Sequence, residues 1–415
     1  MQAHLPVMLP AELAASFSRI SSSRQPLDTI SAFAGGALPH TVLSCCQSVL
    51  LEMFNTRTVL PLRATCRDAV AAVVAHPWND LETIIRGSLG PALSPGAQKG
   101  AWRRCFPRAR GANVSGRSAL LDADFVHLAG LQRLNMSSCK GVTDAAFAHL
   151  AGIHALRMQD CNQPAVTGAA FVHLRGIHTL DMSYCDQPGI TDAAFAHLRG
   201  IHTLDMCSCN QVTITDAAFA HLAGIQSLDM TRCNQPTITD AAFQHLSGIH
   251  TLKMGGCNQS TITDAAFSHL AGVRALTMNY CSQLTDGAFA CLAGVETLEI
   301  EGCSQAAITD AAFVHLAGVR TLNMGGCSQP TITDAAFAHL AGIHTLRMNF
   351  CKQPTITGAA FAHLSGIHTL EMEGCSQPTL TDAAFAHLTV MHTLLMRGCN
   401  PQRVAAAKAR GLPVS

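Results

Sequence analysis

One module, written in full as Thr191 to Ile214 (TDAAFAHLRGIHTLDMCSCNQVTI), recurs with small changes from about residue 117 to residue 399. Its period is clearest in a column of cysteines: Cys139, Cys161, Cys185, Cys209, Cys233, Cys257, Cys281, Cys303, Cys327, Cys351, Cys375 and Cys399. Successive members stand 24 residues apart, except after Cys139 and Cys281, where the step is 22. A fixed period of this length means a stack of units, each covering the apolar side of the next.

Inside one module, Leu204 and Met206 alternate with polar residues, which is strand spacing. Asn210–Thr213 reads as a polar turn. Thr215–Gly224 predicts a short helix. Thr215 or Asp216 can cap it, Phe219 and Leu222 share one face, and Gly224 ends it. In the two shorter modules the missing pair falls between cysteine and helix (Cys139-Lys-Gly-Val-Thr-Asp; Cys281-Ser-Gln-Leu-Thr-Asp). Deletion in a turn leaves strand and helix at full length.

Ile201, Leu204, Met206 and Cys209 meet the L-x-x-L-x-L-x-x-(N/C) signature. On these residues the chain resembles cysteine-containing leucine-rich-repeat proteins. The resemblance spans roughly two thirds of the chain, with methionine at the second strand leucine in eleven modules and Ile300 in the twelfth. It implies an α/β right-handed horseshoe solenoid with a parallel sheet on the concave side. It also implies that the cysteine column is reduced.

Residues 1–100 do not repeat. Their most informative stretch is Leu60–Leu81, with Leu62, Cys66, Arg67, Pro77 and Trp78. It resembles the second half of an F-box: a leucine-led helix, Cys-Arg at its middle, then Pro-Trp. Two stretches compete for the first half. Leu9-Pro10 has the right opening but lies far upstream, and Leu50, Leu51 and Phe54 lie at the right distance without a Leu-Pro. The resemblance implies that Leu50, Leu51, Phe54, Leu62, Cys66, Arg67, Pro77 and Trp78 dock the adaptor subunit of a cullin-based ubiquitin ligase. The expected organisation is a helical F-box-like region over 1–85, a Gly/Pro/Ser-rich linker over 86–104, and a solenoid with terminal caps over 105–415. Ala109–Arg117 reads as a degraded strand at the solenoid's start, and Gln402–Gly411 as its closing helix.

Formal net charge is zero with histidine neutral, so no bulk attraction to nucleic acid or to a membrane is expected. No apolar run reaches a membrane span, and Met1–Ser16 lacks the basic start of a signal peptide. With reduced thiols, this points to cytoplasm or nucleus. Ala, Thr, His, Gln and Ser are expected on solvent faces.

The helix TDAAF-x-HL-x-G scarcely varies between modules, whereas the strand positions expected on the concave face do. The predicted substrate-binding residues come from those variable columns: Asp181, Tyr184, Asp205, Asp229, Arg232, Tyr280, Glu299, Glu301, Arg347, Phe350, Glu371 and Glu373. Three like charges in adjacent strands, at Asp181, Asp205 and Asp229, favour a basic or polar partner. Exposed aromatics on a rigid sheet, such as Tyr184, Tyr280 and Phe350, make good anchors.

Histidines form two columns, one on the helix and one at the strand start. They lie along a line rather than converging, so no metal or cofactor is expected. There is no phosphate loop, no His-Glu-x-x-His and no Gly-x-Ser-x-Gly. The reading is a non-enzymatic substrate receptor of a cullin-RING ubiquitin ligase with a protein substrate on the concave face. Its alternatives are a scaffold or pathogen-type interaction protein without a ligase link, and a thiol- or metal-dependent activity.

Overall fold

The structure, a computed structural model, describes Val59, residues 67–85, and residues 102–415 apart from Pro378 and Val390. The chain divides into two compact units, Met1–Asn113 and Val114–Ser415.

In the first unit a helix, Arg67–Ala75, is followed by strand β1 (Asn79–Ile84), a helical turn (Trp102–Cys105) and strand β2 (Gly111–Asn113), which pairs parallel with β1. The stretch 1–85, expected to be helical, therefore turns extended at Asn79. Pro77 supplies the reason: it cannot continue a helix and biases the residue before it away from helical geometry. Trp78 lies inside this unit. Its indole Nε1 donates to the Val73 carbonyl at 2.8 Å, and its ring meets Phe106 edge-on at 5.7 Å.

The second unit carries twelve three-residue strands: β3 (Arg133–Asn135), β4 (Ala155–Arg157), β5 (Thr179–Asp181), β6 (Thr203–Asp205), β7 (Ser227–Asp229), β8 (Thr251–Lys253), β9 (Ala275–Thr277), β10 (Thr297–Glu299), β11 (Thr321–Asn323), β12 (Thr345–Arg347), β13 (Thr369–Glu371) and β14 (Thr393–Leu395). Each pairs parallel with the next in sequence, so equivalent residues face each other, as at Leu204↔Leu228 and Asp205↔Asp229. The result is an open parallel sheet built from repeating α/β units. In each strand the central leucine is buried and the flanking residues face the other side.

The predicted ten-residue helix is in fact a single α-turn, Asp192–Phe195 in one module, running into a 3-10 turn, Ala196–Leu198. Side chains three apart eclipse in a 3-10 turn, which places Phe195 and Leu198 together in the core. Arg199 then leaves helical geometry and Gly200 takes φ +82°, where only glycine is unstrained. Every module contributes the same buried set, for instance Leu204, Met206, Cys209, Ile214, Phe219 and Leu222. Truncating one such phenylalanine to alanine costs about 3–5 kcal/mol.

Three polar ladders lock neighbours in register. Each column cysteine donates its thiol to a carbonyl of the preceding module, as Cys209 to Met182 O at 3.1 Å and Cys233 to Met206 O at 3.0 Å. Burial pushes these thiols up, Cys209 and Cys257 to about 12, so they remain neutral donors. Helix-start aspartates from Asp122 to Asp334 accept from the next module's threonine, as Asp216 from Thr239 N and Oγ1, both at 2.7 Å. A glutamine column makes a third ladder, interrupted at Gln235, Gln353 and Gln377, and corrects an expectation. Gln187, Gln211 and Gln259 are buried, and Gln187 Nε2 donates to Cys161 O at 3.1 Å. The turn folds inward here because the preceding module's cysteine carbonyl needs a donor.

At the far end, Pro401–Ala409 forms the expected closing helix. Its Arg403 guanidinium reaches the Gln377 carbonyl, and Ser415 N donates to Leu394 O at 2.9 Å along the edge of β14.

Candidate interaction surface

Because the strands are three residues long and in register, the sheet's outer side is a set of straight columns. Taking β6 as the pattern, the columns run through Thr203, Asp205, Cys207 and Ser208. Every predicted substrate-binding residue stands in the last three of these columns. Asp181, Asp205 and Asp229 are direct neighbours on β5, β6 and β7, and Lys253 follows on β8. Lys253 Nζ lies 3.4 Å from Asp229 Oδ2. Asp205, held between two carboxylates, feels Lys253 only from a distance, and among the described residues no cation pairs with it. Partial burial and then Asp229 and Asp181 push its carboxyl up to about 6, against a lowering hydrogen bond from Cys207 N.

The aspartates also have a local task. Asp181, Asp205 and Asp229 accept the backbone N–H two residues on, at 3.0–3.1 Å, and Asn135 and Asn323 do the same. This turn-forming bond accounts for the residue type without any partner.

The column before the cysteine is the informative one. Tyr184, Tyr280, Phe350 and Arg232 all have φ of 58–59°, as do Ser138 and Ser208 within a degree or so. Elsewhere in this column glycine takes the same left-handed conformation, at Gly256, Gly302, Gly326, Gly374 and Gly398. A side chain there costs roughly 1–2 kcal/mol relative to glycine. The three aromatics are nevertheless 44–60% exposed. Tyr280 and Phe350 lie over the next module's glycine: a Cβ on Gly302 would come within 2.4 Å of the Tyr280 ring, and one on Gly374 within 2.5 Å of the Phe350 ring. Each ring thus rests on backbone with its other face turned outward.

Charges fill the space beside the rings. Tyr280 OH donates to Glu301 Oε1 at 2.9 Å. Arg347 Nε meets Glu371 Oε1 at 3.0 Å, and Arg397 Nε lies 3.7 Å from Glu373 Oε1. Asn279 and Asn349, not singled out from the sequence, organise these groups. Their side-chain oxygens accept from Glu301 N (2.7 Å) and Glu373 N (2.8 Å), and their amides donate to Glu299 (3.1 Å) and Glu371 (3.4 Å). The signal was present as Asn-(Tyr/Phe)-Cys followed one module later by Glu-x-Glu-Gly-Cys, twice.

Histidines at the strand starts stack on one another: His154 on His178 (4.6 Å), His178 on His202 (3.6 Å), His344 on His368 (4.4 Å) and His368 on His392 (4.0 Å). Desolvation by the stack, then the neighbouring rings, lower the pKa of His178 and His368. Among the described residues no group of three or more His, Cys, Asp or Glu is placed to hold a metal ion. Cys207, at the edge of the acidic columns, is partly exposed, but burial and the adjacent aspartates raise its pKa.

The predicted adaptor-binding residues are less completely placed. Leu50, Leu51, Phe54, Leu62 and Cys66 lie outside the described residues. Arg67 opens the first helix and Pro77 is exposed. Trp78, only 2% exposed, is occupied by its own unit's core.

The fold resembles that of leucine-rich-repeat interaction proteins. An internalin (inlF) from Listeria monocytogenes matches with a TM-score of 0.51 and 14% identity, over 87% of this chain and 94% of that one. TLR13, solved in complex with ssRNA13, matches at 0.52 with 16% identity over 71% of this chain. Drosophila Toll, solved in complex with Spatzle, matches at 0.52 with 12% identity over 74%. The chain spans about half the length of those last two, 51% and 50%. No protein-family profile and no curated protein sequence matches the chain. Such likeness establishes architecture alone. Among the described residues, no helix is long and apolar enough to cross a membrane.

Proposed function

We propose that this chain is a protein-recognition module that works through the strand side of its sheet and has no catalytic step of its own. The observation that carries this reading is the left-handed column. Tyr280 and Phe350 stand exposed at a conformation that both neighbouring modules take with glycine, and Tyr184, between Asp160 and Ser208, holds the same conformation. Strain kept at an exposed, rigid aromatic is accounted for by contact with a partner, since it contributes little to the fold. The strand side would be the inner wall of the horseshoe, and its charged columns would select among partners.

The finer reading is that the module is the substrate receptor of a cullin-based ubiquitin ligase, in cytoplasm or nucleus. Its support is the F-box resemblance of Leu60–Leu81 and the order F-box, then leucine-rich repeats. The thiol ladder, built from neutral donors, suits a reducing compartment. Trp78 would act here by shaping the docking unit rather than by touching the adaptor. A pull-down with the ligase adaptor tests this link. Capture by the full chain, weakened by changes at Leu62 and Arg67, is the expected result. No capture would leave a leucine-rich-repeat scaffold without a ligase link.

A further inference from the structure

The variable columns contain one constellation twice. In the first copy, Thr277, Asn279 and Tyr280 are followed one module later by Glu299, Glu301 and Gly302. In the second, Arg347, Asn349 and Phe350 are followed by Glu371, Glu373 and Gly374. The hydrogen bonds correspond atom for atom. Each asparagine accepts from the second glutamate's backbone and donates to the first glutamate's carboxylate. Each aromatic ring lies on the following glycine.

The copies differ in what neutralises the two carboxylates. In the second copy each carries a guanidinium from this chain: Arg347 on Glu371 and Arg397 on Glu373. In the first copy those two positions are Thr277 and Gly325. Register places Thr277 opposite Glu299 as it places Arg347 opposite Glu371. Glu299 is then left with Asn279 Nδ2 and Thr277 Oγ1, and Glu301 with Tyr280 OH and Asn323 Nδ2. All four are neutral donors, and among the described residues no cation lies within ion-pair distance of either carboxylate.

We propose that Glu299, Glu301 and Tyr280 form a receptor for arginine side chains of a partner protein, one guanidinium per carboxylate. The inference rests on the strand side being a recognition surface and names the chemistry of what it takes. The second copy is the same receptor filled by the chain itself. Three features favour arginine. A charge-assisted hydrogen bond from Arg347 and an ion pair from Arg397 are already made to the equivalent carboxylates. The exposed face of the Tyr280 ring can stack on a guanidinium. Glu299 ends β10 and Glu301 opens the turn after it, on either side of the buried Ile300, and residues two apart in an extended chain are separated by roughly 6.6 Å, which matches two arginines separated by one residue in an extended segment.

The test is fluorescence anisotropy of the full chain with a labelled peptide, Gly-Ser-Arg-Ser-Arg-Ser-Gly, against the same peptide with citrulline at both arginines. Binding to the arginine peptide, weaker by about tenfold or more for citrulline, is expected. Glu299→Gln with Glu301→Gln, and Tyr280→Gly, should each cause a loss of similar size. Thr277→Arg should do the same, because it writes into the first copy the arginine that fills the second; its thermal midpoint should not fall. Glu371→Gln with Glu373→Gln should leave binding unchanged. Absence of binding, equal binding of citrulline, unchanged binding by Thr277→Arg, or loss only on Asp181→Asn, Asp205→Asn and Asp229→Asn would each overturn the proposal. None of these outcomes touches the broader reading, whose own test is separate.

Discussion

Single residues here serve either the ladder or the surface, and substitutions separate the two. Asp216 serves the ladder: its carboxylate takes two hydrogen bonds from Thr239. Asp216→Ala should lower stability by about 1.5–3 kcal/mol, read from chemical denaturation, since both bonds are to a charged acceptor. The chain contains its own control. Gly168 and Gly358 stand in that aspartate's place, and the threonines that follow, Thr191 and Thr381, make no side-chain cap bond. Phe350 serves the surface. Phe350→Gly should leave stability unchanged or raise it by about 1 kcal/mol, because relief of the left-handed side chain offsets lost packing on Gly374. Asp205 stands between. Its carboxyl is raised to about 6, so ionisation is less favourable folded than unfolded. It therefore withholds stability at pH values above about 6, and protonation restores it as pH falls toward the ordinary aspartate value. Asp205→Asn should accordingly raise stability at pH 7.5, by on the order of 1 kcal/mol once solvent screening is discounted, and with it the thermal midpoint. Comparable midpoints for Asp205→Asn and the parent at pH 7.5 would show that the column is already neutralised.

At the scale of the element, the two stacked histidine runs make the strand starts sensitive to acid. His178 and His368 sit at the centres of their stacks, and desolvation followed by the flanking rings lowers their pKa values. A histidine with a depressed pKa binds its proton more readily when unfolded. Its contribution is whole above the ordinary histidine pKa and is lost as pH falls through the depressed value. The thermal midpoint should thus drop between pH 7.5 and 5.5, and His178→Gln with His368→Gln should flatten that drop. This trend opposes the one at Asp205, which is why the two variants need separate melts. Much of the element-level structure was legible in the repeat. Leu204 and Met206 read as a strand by alternation, and Phe219 and Leu222 read as one buried face. Gln187 and its column did not, because a glutamine in a polar turn looks solvated until the turn is seen folding its carbonyls inward. The α-turn passing into a 3-10 turn was equally hidden: spacing of three fits both helices, and only the exit at Arg199 and Gly200 separates them.

For the whole molecule, a ladder of twelve in-register strands leaves one side for the core and one turned outward. The columns of the second side were readable by comparing modules within the chain. That Tyr280 and Phe350 are held in left-handed geometry was not, since the sequence shows aromatic residues among glycine, serine, aspartate and arginine in one column without showing why. The first unit was the least legible. Pro77-Trp78 reads like an exposed docking corner, yet the indole is consumed by Val73 and Phe106. Choice of partners on the strand side is directly testable. Affinity purification with quantitative mass spectrometry, run in parallel on the full chain, on Tyr184→Gly with Tyr280→Gly and Phe350→Gly, and on His197→Ala with His221→Ala and His245→Ala on the helix side, addresses it directly. A defined partner set that the aromatic substitutions abolish and the histidine substitutions leave intact is expected. A partner set lost with the helix-side histidines, and retained without the three rings, would contradict it.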